Sequence, residues 1–180
     1  MKTWTRAVPV AWVFAASGCL MPSPPDLADP ERTRPYIHYL NVDPPLGEPI
    51  QVQLSGTQQD AEKQFLIPFQ SEDLGEDISA SLYLYAPDNS SDQVYFRSRI
   101  PAGEFSTVRN ADMKWDPSGQ EPGCYRLTAT LAHASSFGDN GIVLDEREDD
   151  AEAVSWLANV YLTGQNDNKL ADCPRVGDVN

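Results

Sequence analysis

The chain has 180 residues, enough for one domain with a real core, and carries 27 acidic against 13 basic side chains, a formal net charge of -14 at pH 7. A surface this acidic repels phosphate backbones and anionic lipid heads, both of which need a basic footprint, so nucleic-acid binding is excluded as a function class. Fifteen prolines and eleven glycines suit a turn-rich all-β protein better than a helical one.

Residues 1–18 read as an export signal. Lys2 and Arg6 form a short basic start, residues 7–16 are apolar apart from Pro9, and no acid occurs before Asp26. About ten apolar residues fall short of the ~20 needed to span a bilayer, so a cleaved signal is the better reading. Ala16-Ser17-Gly18 then runs into Cys19 and a Pro-rich segment. This stretch resembles the lipobox of bacterial lipoproteins, in which small residues precede a cysteine that is lipidated and becomes the first residue of the mature protein. The family usually has Leu three residues before the cysteine; this chain has Ala16. Ala16-Ser17-Gly18 also has the small-x-small form of an ordinary cleavage site. The resemblance implies a multiply acylated Cys19, palmitate included, which meets the need for more than one acyl chain in a stable anchor. Leu20 after the cysteine, in place of Asp, implies outer-membrane sorting by the same resemblance.

The three cysteines are Cys19, Cys124 and Cys173. An odd thiol is a liability in an oxidising compartment. With lipid on Cys19, two cysteines remain to form a disulfide; without it, one is left over. Neither Cys124 nor Cys173 stands in a C-x-x-C pair, and His38 and His133 show no ligand spacing, which argues against zinc. A chain starting at Cys19 has 162 residues, 11 of them basic against 27 acidic, a net charge of about -16.

Residues 20–35 contain five prolines and few large apolar side chains, an extended, semi-rigid tether. The domain is expected over residues 36–180. Residues 36–42 are rich in strand formers and end in the turn chemistry of Asp43-Pro44-Pro45-Leu46-Gly47. Ile50, Val52 and Leu54 alternate with Gln51, Gln53 and Ser55, and Phe65, Ile67 and Phe69 repeat the pattern. Residues 71–77 form an acidic loop. Ile78, Ala80, Leu82 and Leu84 alternate with Ser79, Ser81, Tyr83 and Tyr85, the clearest strand in the chain. After a turn cluster at 87–91, Val94, Phe96 and Ile100 alternate with Tyr95, Arg97 and Arg99. Residues 105–108 add a short strand, and residues 115–123 a Pro- and Gly-containing loop. Tyr125, Leu127, Ala129 and Leu131 alternate with Arg126, Thr128 and Thr130, and residues 135–150 form a second polar loop. Val154, Trp156, Ala158, Val160 and Leu162 make the last apolar face. That stretch also suits a helix opened by Asp149, Asp150 and Glu152; strand is preferred because every other element is β.

Seven or eight short strands between turn clusters predict an all-β chain, an immunoglobulin-like β-sandwich behind a signal peptide and a Pro-rich tether. Residues 69–83 resemble the acidic-turn-then-strand segment of bacterial immunoglobulin-like extracellular domains. Gly123-Cys124-Tyr125-Arg126-Leu127, with Val154-Ser155-Trp156-Leu157 downstream, resembles their last hairpin. With the lipobox, the whole resembles a family of bacterial envelope lipoproteins carrying one such domain, which implies a fold and a location but no activity. Cys124 opens the penultimate strand and Cys173 follows the last, so a bond between them would tie the tail back to the sheet.

No catalytic constellation can be assembled. His38 and His133 read as edge or surface histidines, and no serine lies in a G-x-S-x-G context. No Gly-rich phosphate loop is present, and no cofactor is implied. The acidic loops offer Asp73, Asp77, Asp149 and Asp150 as weak Ca²⁺ candidates, although no D-x-[DN]-x-[DN]-G loop occurs. Trp156 alternates with core residues. Trp115, beside Pro117, suits either a recognition aromatic or a buried loop anchor. These features predict a non-catalytic, lipid-anchored envelope module presenting its sandwich to a protein or glycan partner. The alternatives are a Ca²⁺-dependent adhesion or sensing domain and, behind it, a hydrolase.

Overall fold

The computed structural model describes residues 33–54, 62–72, 75–86, 93–104, 107–143, 149–164, 170 and 173. They belong to a compact unit that spans Arg32–Asn180. Residues 1–32, with the signal, Cys19 and most of the tether expected from the sequence, lie outside the described residues.

Eight strands form among them: β1 (Tyr36–Ile37), β2 (Ile50–Leu54), β3 (Lys63–Gln70), β4 (Ile78–Tyr85), β5 (Gln93–Ile100), β6 (Arg109–Trp115), β7 (Gly123–His133) and β8 (Glu152–Leu162). They build two sheets, one ordered β1-β3-β6 and the other β2-β8-β7-β4-β5. All pairs are antiparallel except β2 with β8. The chain is an all-β, immunoglobulin-like β-sandwich. The last apolar segment is strand, as preferred from the sequence.

The inner faces follow the alternation read above. Phe65, Ile67 and Phe69 of β3 face Leu82, Leu127, Trp156 and their neighbours of the larger sheet in one buried cluster. Such burial is the dominant stabilising term, about 25 cal/mol per Å² of apolar surface removed from water.

Four expectations need correction. The strand expected over residues 36–42 stops at Ile37 and loops out as a 3-10 turn, Tyr39–Asn41. Pro68 explains the break. His38 N–H donates to the Pro68 carbonyl (2.9 Å), but Pro68 has no N–H to return on that side. Regular pairing fails there, and the chain rejoins β3 at Asp43, which exchanges both backbone bonds with Leu66.

Of the short strand expected at residues 105–108, residues 105 and 106 lie outside the described residues and 107 and 108 are not strand; β6 opens at Arg109. Ala111, Met113 and Trp115 point inward while Asn110, Asp112 and Lys114 point out. The alternation was present in the sequence, but Asn, Asp and Lys are poor strand formers and masked it. Trp115 is therefore no loop aromatic: it is the last residue of β6 and fully buried.

The polar loop at 135–150 is in part a packed flap. Phe137 is buried and bridges to Val143, with a tight turn between them at Gly138–Gly141. The Gly141 carbonyl accepts from Ser81 Oγ (3.1 Å) and Tyr83 OH (3.0 Å). The flap thus covers the outer face of β4, and seven of that strand's eight residues are buried rather than alternate ones.

His133 is not a surface histidine. It ends β7 at 0% exposure.

Candidate functional site

Two places on the sandwich gather polar chemistry. The first lies where β4 begins and β5 and β7 end. The register sets Ile78 against both Ile100 and His133, so the residues before β4 meet those after β5 and β7. Asp77 binds all three elements together. Its carboxylate accepts from Arg99 Nε (2.6 Å) and from the Ala102 N–H (2.9 Å), and its carbonyl accepts from the Ala134 N–H (2.8 Å). The Ala102 backbone donor, reinforced by the Arg99 guanidinium, holds the Asp77 carboxyl below its usual value.

Beside it stand Glu76, His133 and Ser135, a serine, a histidine and a carboxylate in one cluster. Their order decides what they can do. Ser135 Oγ donates to Glu76 Oε1, and Glu76 Oε2 lies 3.7 Å from His133 Nδ1. The other ring nitrogen, Nε2, is 3.1 Å from the Thr33 carbonyl. A carbonyl only accepts, so Nε2 carries the hydrogen. A nucleophilic triad needs the imidazole between serine and carboxylate. Here the carboxylate is in the middle, and the serine hydroxyl points at it rather than at the ring. The arrangement fastens residue 33, and with it the end of the tether, to the domain.

Glu152 adds a second fastening. Its carboxylate accepts from Tyr39 OH and pairs with Arg34 Nε at 3.3 Å. Burial, with the Glu152 carboxylate beside it, pushes the Tyr39 phenol up to about 12.

The remaining sequence candidates do not come together. His38 is half-buried on the outer face of the smaller sheet, where its Nε2 donates to Gln70 Oε1 (3.1 Å) and its ring meets Tyr36 edge-on at 5.2 Å. Asp77 is engaged as described. Asp149 and Asp150 form a short turn at the foot of β8, and Asp73 lies outside the described residues. Among the described residues, no three His, Cys, Asp or Glu side chains converge as a metal group. No helix among them is long and apolar enough to cross a membrane.

The second place is the outer face of the larger sheet around Cys124. Cys124 and Cys173 are disulfide-bonded, with Cα atoms 4.7 Å apart. Cys124 is opposite Asn159 of β8, whose side-chain N–H donates to Gln51 Oε1 (3.0 Å). Two residues on, Arg126 projects from the same face, with its guanidinium carbon 4.3 Å from the Tyr85 ring centroid. Alternation marked Arg126 as an outward strand residue; its burial followed only from its neighbours.

No family model matches the chain, and no curated protein matches it. Among solved structures it is similar to the CARDB domain of the PF1109 protein of Pyrococcus furiosus, solved in complex with di-metal ions. The two share 13% identity over 75% of this chain and 99% of that one, with a TM-score of 0.43. It is also similar to an ASH/PapD-like domain, domain 7, of human CEP192, at 9% identity over 76% of this chain and 90% of that one, with a TM-score of 0.30. Neither likeness bears on what the chain binds.

Proposed function

We propose that this protein is a non-catalytic module of the bacterial cell envelope, anchored by lipid on Cys19, whose immunoglobulin-like sandwich serves binding or structural roles. The observation that carries the reading is the cysteine bookkeeping. Cys124 and Cys173 bond to each other, so Cys19 is the cysteine left for another fate. In an exported chain, acylation removes that thiol from trouble. The Ser135–Glu76–His133 order supports a non-catalytic reading, because it offers no imidazole to a serine. The anchored protein would sit in the outer membrane, with residues 20–35 as spacer and a protein or glycan as partner.

Intact mass of the protein taken from membranes tests this, beside a Cys19→Ala variant. A diacyl- or triacylglyceryl adduct on a chain starting at Cys19, absent from the variant, is the expected result. An unmodified chain cleaved after Gly18 would remove the membrane from the account.

A further inference from the structure

Arg126 is buried to 7% exposure, yet its Nε has no hydrogen-bond partner among the described residues. Among the described residues no carboxylate lies within ion-pair distance of it. Arg34 pairs with Glu152, Arg99 with Asp77 and Lys114 with Glu62, while Arg109, whose Nε likewise finds no partner among the described residues, donates from Nη1 to the Pro101 carbonyl. A buried Nε–H without an acceptor loses its hydration uncompensated, and a ring face returns only part of that loss.

The geometry says what would compensate it. The guanidinium is held against Tyr85, its neighbour across the β4–β7 ladder. On the β8 side its neighbour is Leu157, an apolar side chain 37% exposed. Next along β7, Thr128 Oγ1 is already paired with Ser155 Oγ at 2.8 Å. Ring and leucine thus flank a planar fork of donors. That fork matches a carboxylate in bidentate fashion. A single planar charge also meets less repulsion from a chain of net charge -14 than a sulfate or phosphate dianion does.

We propose that Arg126, braced by Tyr85, is a receptor site for a carboxylate presented by a binding partner. This names the ligand chemistry of the binding module proposed above and rests on that reading. The two are tested apart, since the mass of Cys19 and the occupancy of Arg126 are separate readouts.

The test is a titration of the isotope-labelled full chain with acetate, then with sulfate, at constant ionic strength. The side-chain Nε–H resonance of Arg126 reports occupancy. The expected result is a saturable shift at millimolar acetate that is lost in Arg126→Gln and kept in Arg97→Gln. Arg126→Lys, which keeps the charge but not the fork, should weaken binding several-fold, and so should Tyr85→Leu. These two variants carry the test if Arg126→Gln fails to fold. No saturable shift overturns the proposal, and so does an equal response to sulfate. A response that appears only in Asp167→Asn or Asp172→Asn chains overturns it as well, because the guanidinium would then serve the protein's own tail.

Discussion

Phe65 of β3 and Trp156 of β8 meet edge to face across the sandwich, ring centroids 4.8 Å apart and planes inclined at 61°. The contact joins the two sheets. Trp156 is also held from its polar end, because its indole N–H donates to the Pro44 carbonyl at 2.8 Å. Replacing Phe65 with Ala removes a side chain at 1% exposure from the centre of this packing. The expected loss is about 3–5 kcal/mol, read from the midpoint of urea unfolding followed by tryptophan fluorescence.

Breaking the Cys124–Cys173 bond releases a chain loop of sequence separation 49. The chain-entropy model puts its worth at about 4 kcal/mol. Unfolding midpoints with and without reductant should differ accordingly, and a Cys124→Ser, Cys173→Ser double variant should match the reduced protein. Indifference to reductant would mean that the tail contributes nothing to the fold.

Asp77 confers an acid-sensitive part of the stability. Its carboxyl is held below the ordinary value, so the folded state binds the proton less readily than the unfolded chain. The contribution is complete above the unfolded value of about 4 and disappears as pH falls through the lower, folded one. The stability gap between wild type and Asp77→Asn should therefore be constant near neutrality and shrink below about pH 4. A gap that holds steady at low pH would contradict the assignment.

Tyr39 does the reverse at the alkaline end. Its phenol is raised from 10.0 to about 12, so the neutral form belongs to the folded state. That contribution is complete below pH 10 and is lost as pH rises through about 12. Glu152→Gln removes the neighbouring carboxylate charge and should bring the ultraviolet titration of one tyrosine down toward 10.

Gly141 holds the flap in place with φ +79, and a Cβ there would meet Val94 Cγ1 at 3.3 Å. Gly141→Ala should destabilise by about 1–2 kcal/mol from the left-handed backbone alone. Hydrogen exchange of the β4 amides should accelerate as the flap loosens over Ser81 and Tyr83. Unchanged protection would show that the flap does not cover the sheet in solution.

Much of the fold was legible because a strand writes its burial into the chain with period two. Ile78, Ala80, Leu82 and Leu84 announced β4, and Tyr125, Leu127, Ala129 and Leu131 announced β7, because inward positions exclude polar side chains. The pattern was hardest to see where polar outward residues were weak strand formers, as in β6. It was misleading at residues 36–42, where local propensity was satisfied but the partner was Pro68. A missing N–H on a neighbouring strand is invisible in the segment that needs it.

The sites divide along the same line. Composition and local motif by themselves determined the all-β class, the anchor expectation at Cys19 and the choice of Cys124 and Cys173 as a pair, since residue type and count suffice for each. Only the tertiary structure decided that Ser135, Glu76 and His133 stand together in an order that joins residue 33 to the domain. Only it decided that Arg126 lies buried against Tyr85. Both depend on which strands become neighbours and on how segments such as the flap at 137–143 settle on the sheet. Those contacts join residues 40 to 100 positions apart, beyond the reach of any local pattern.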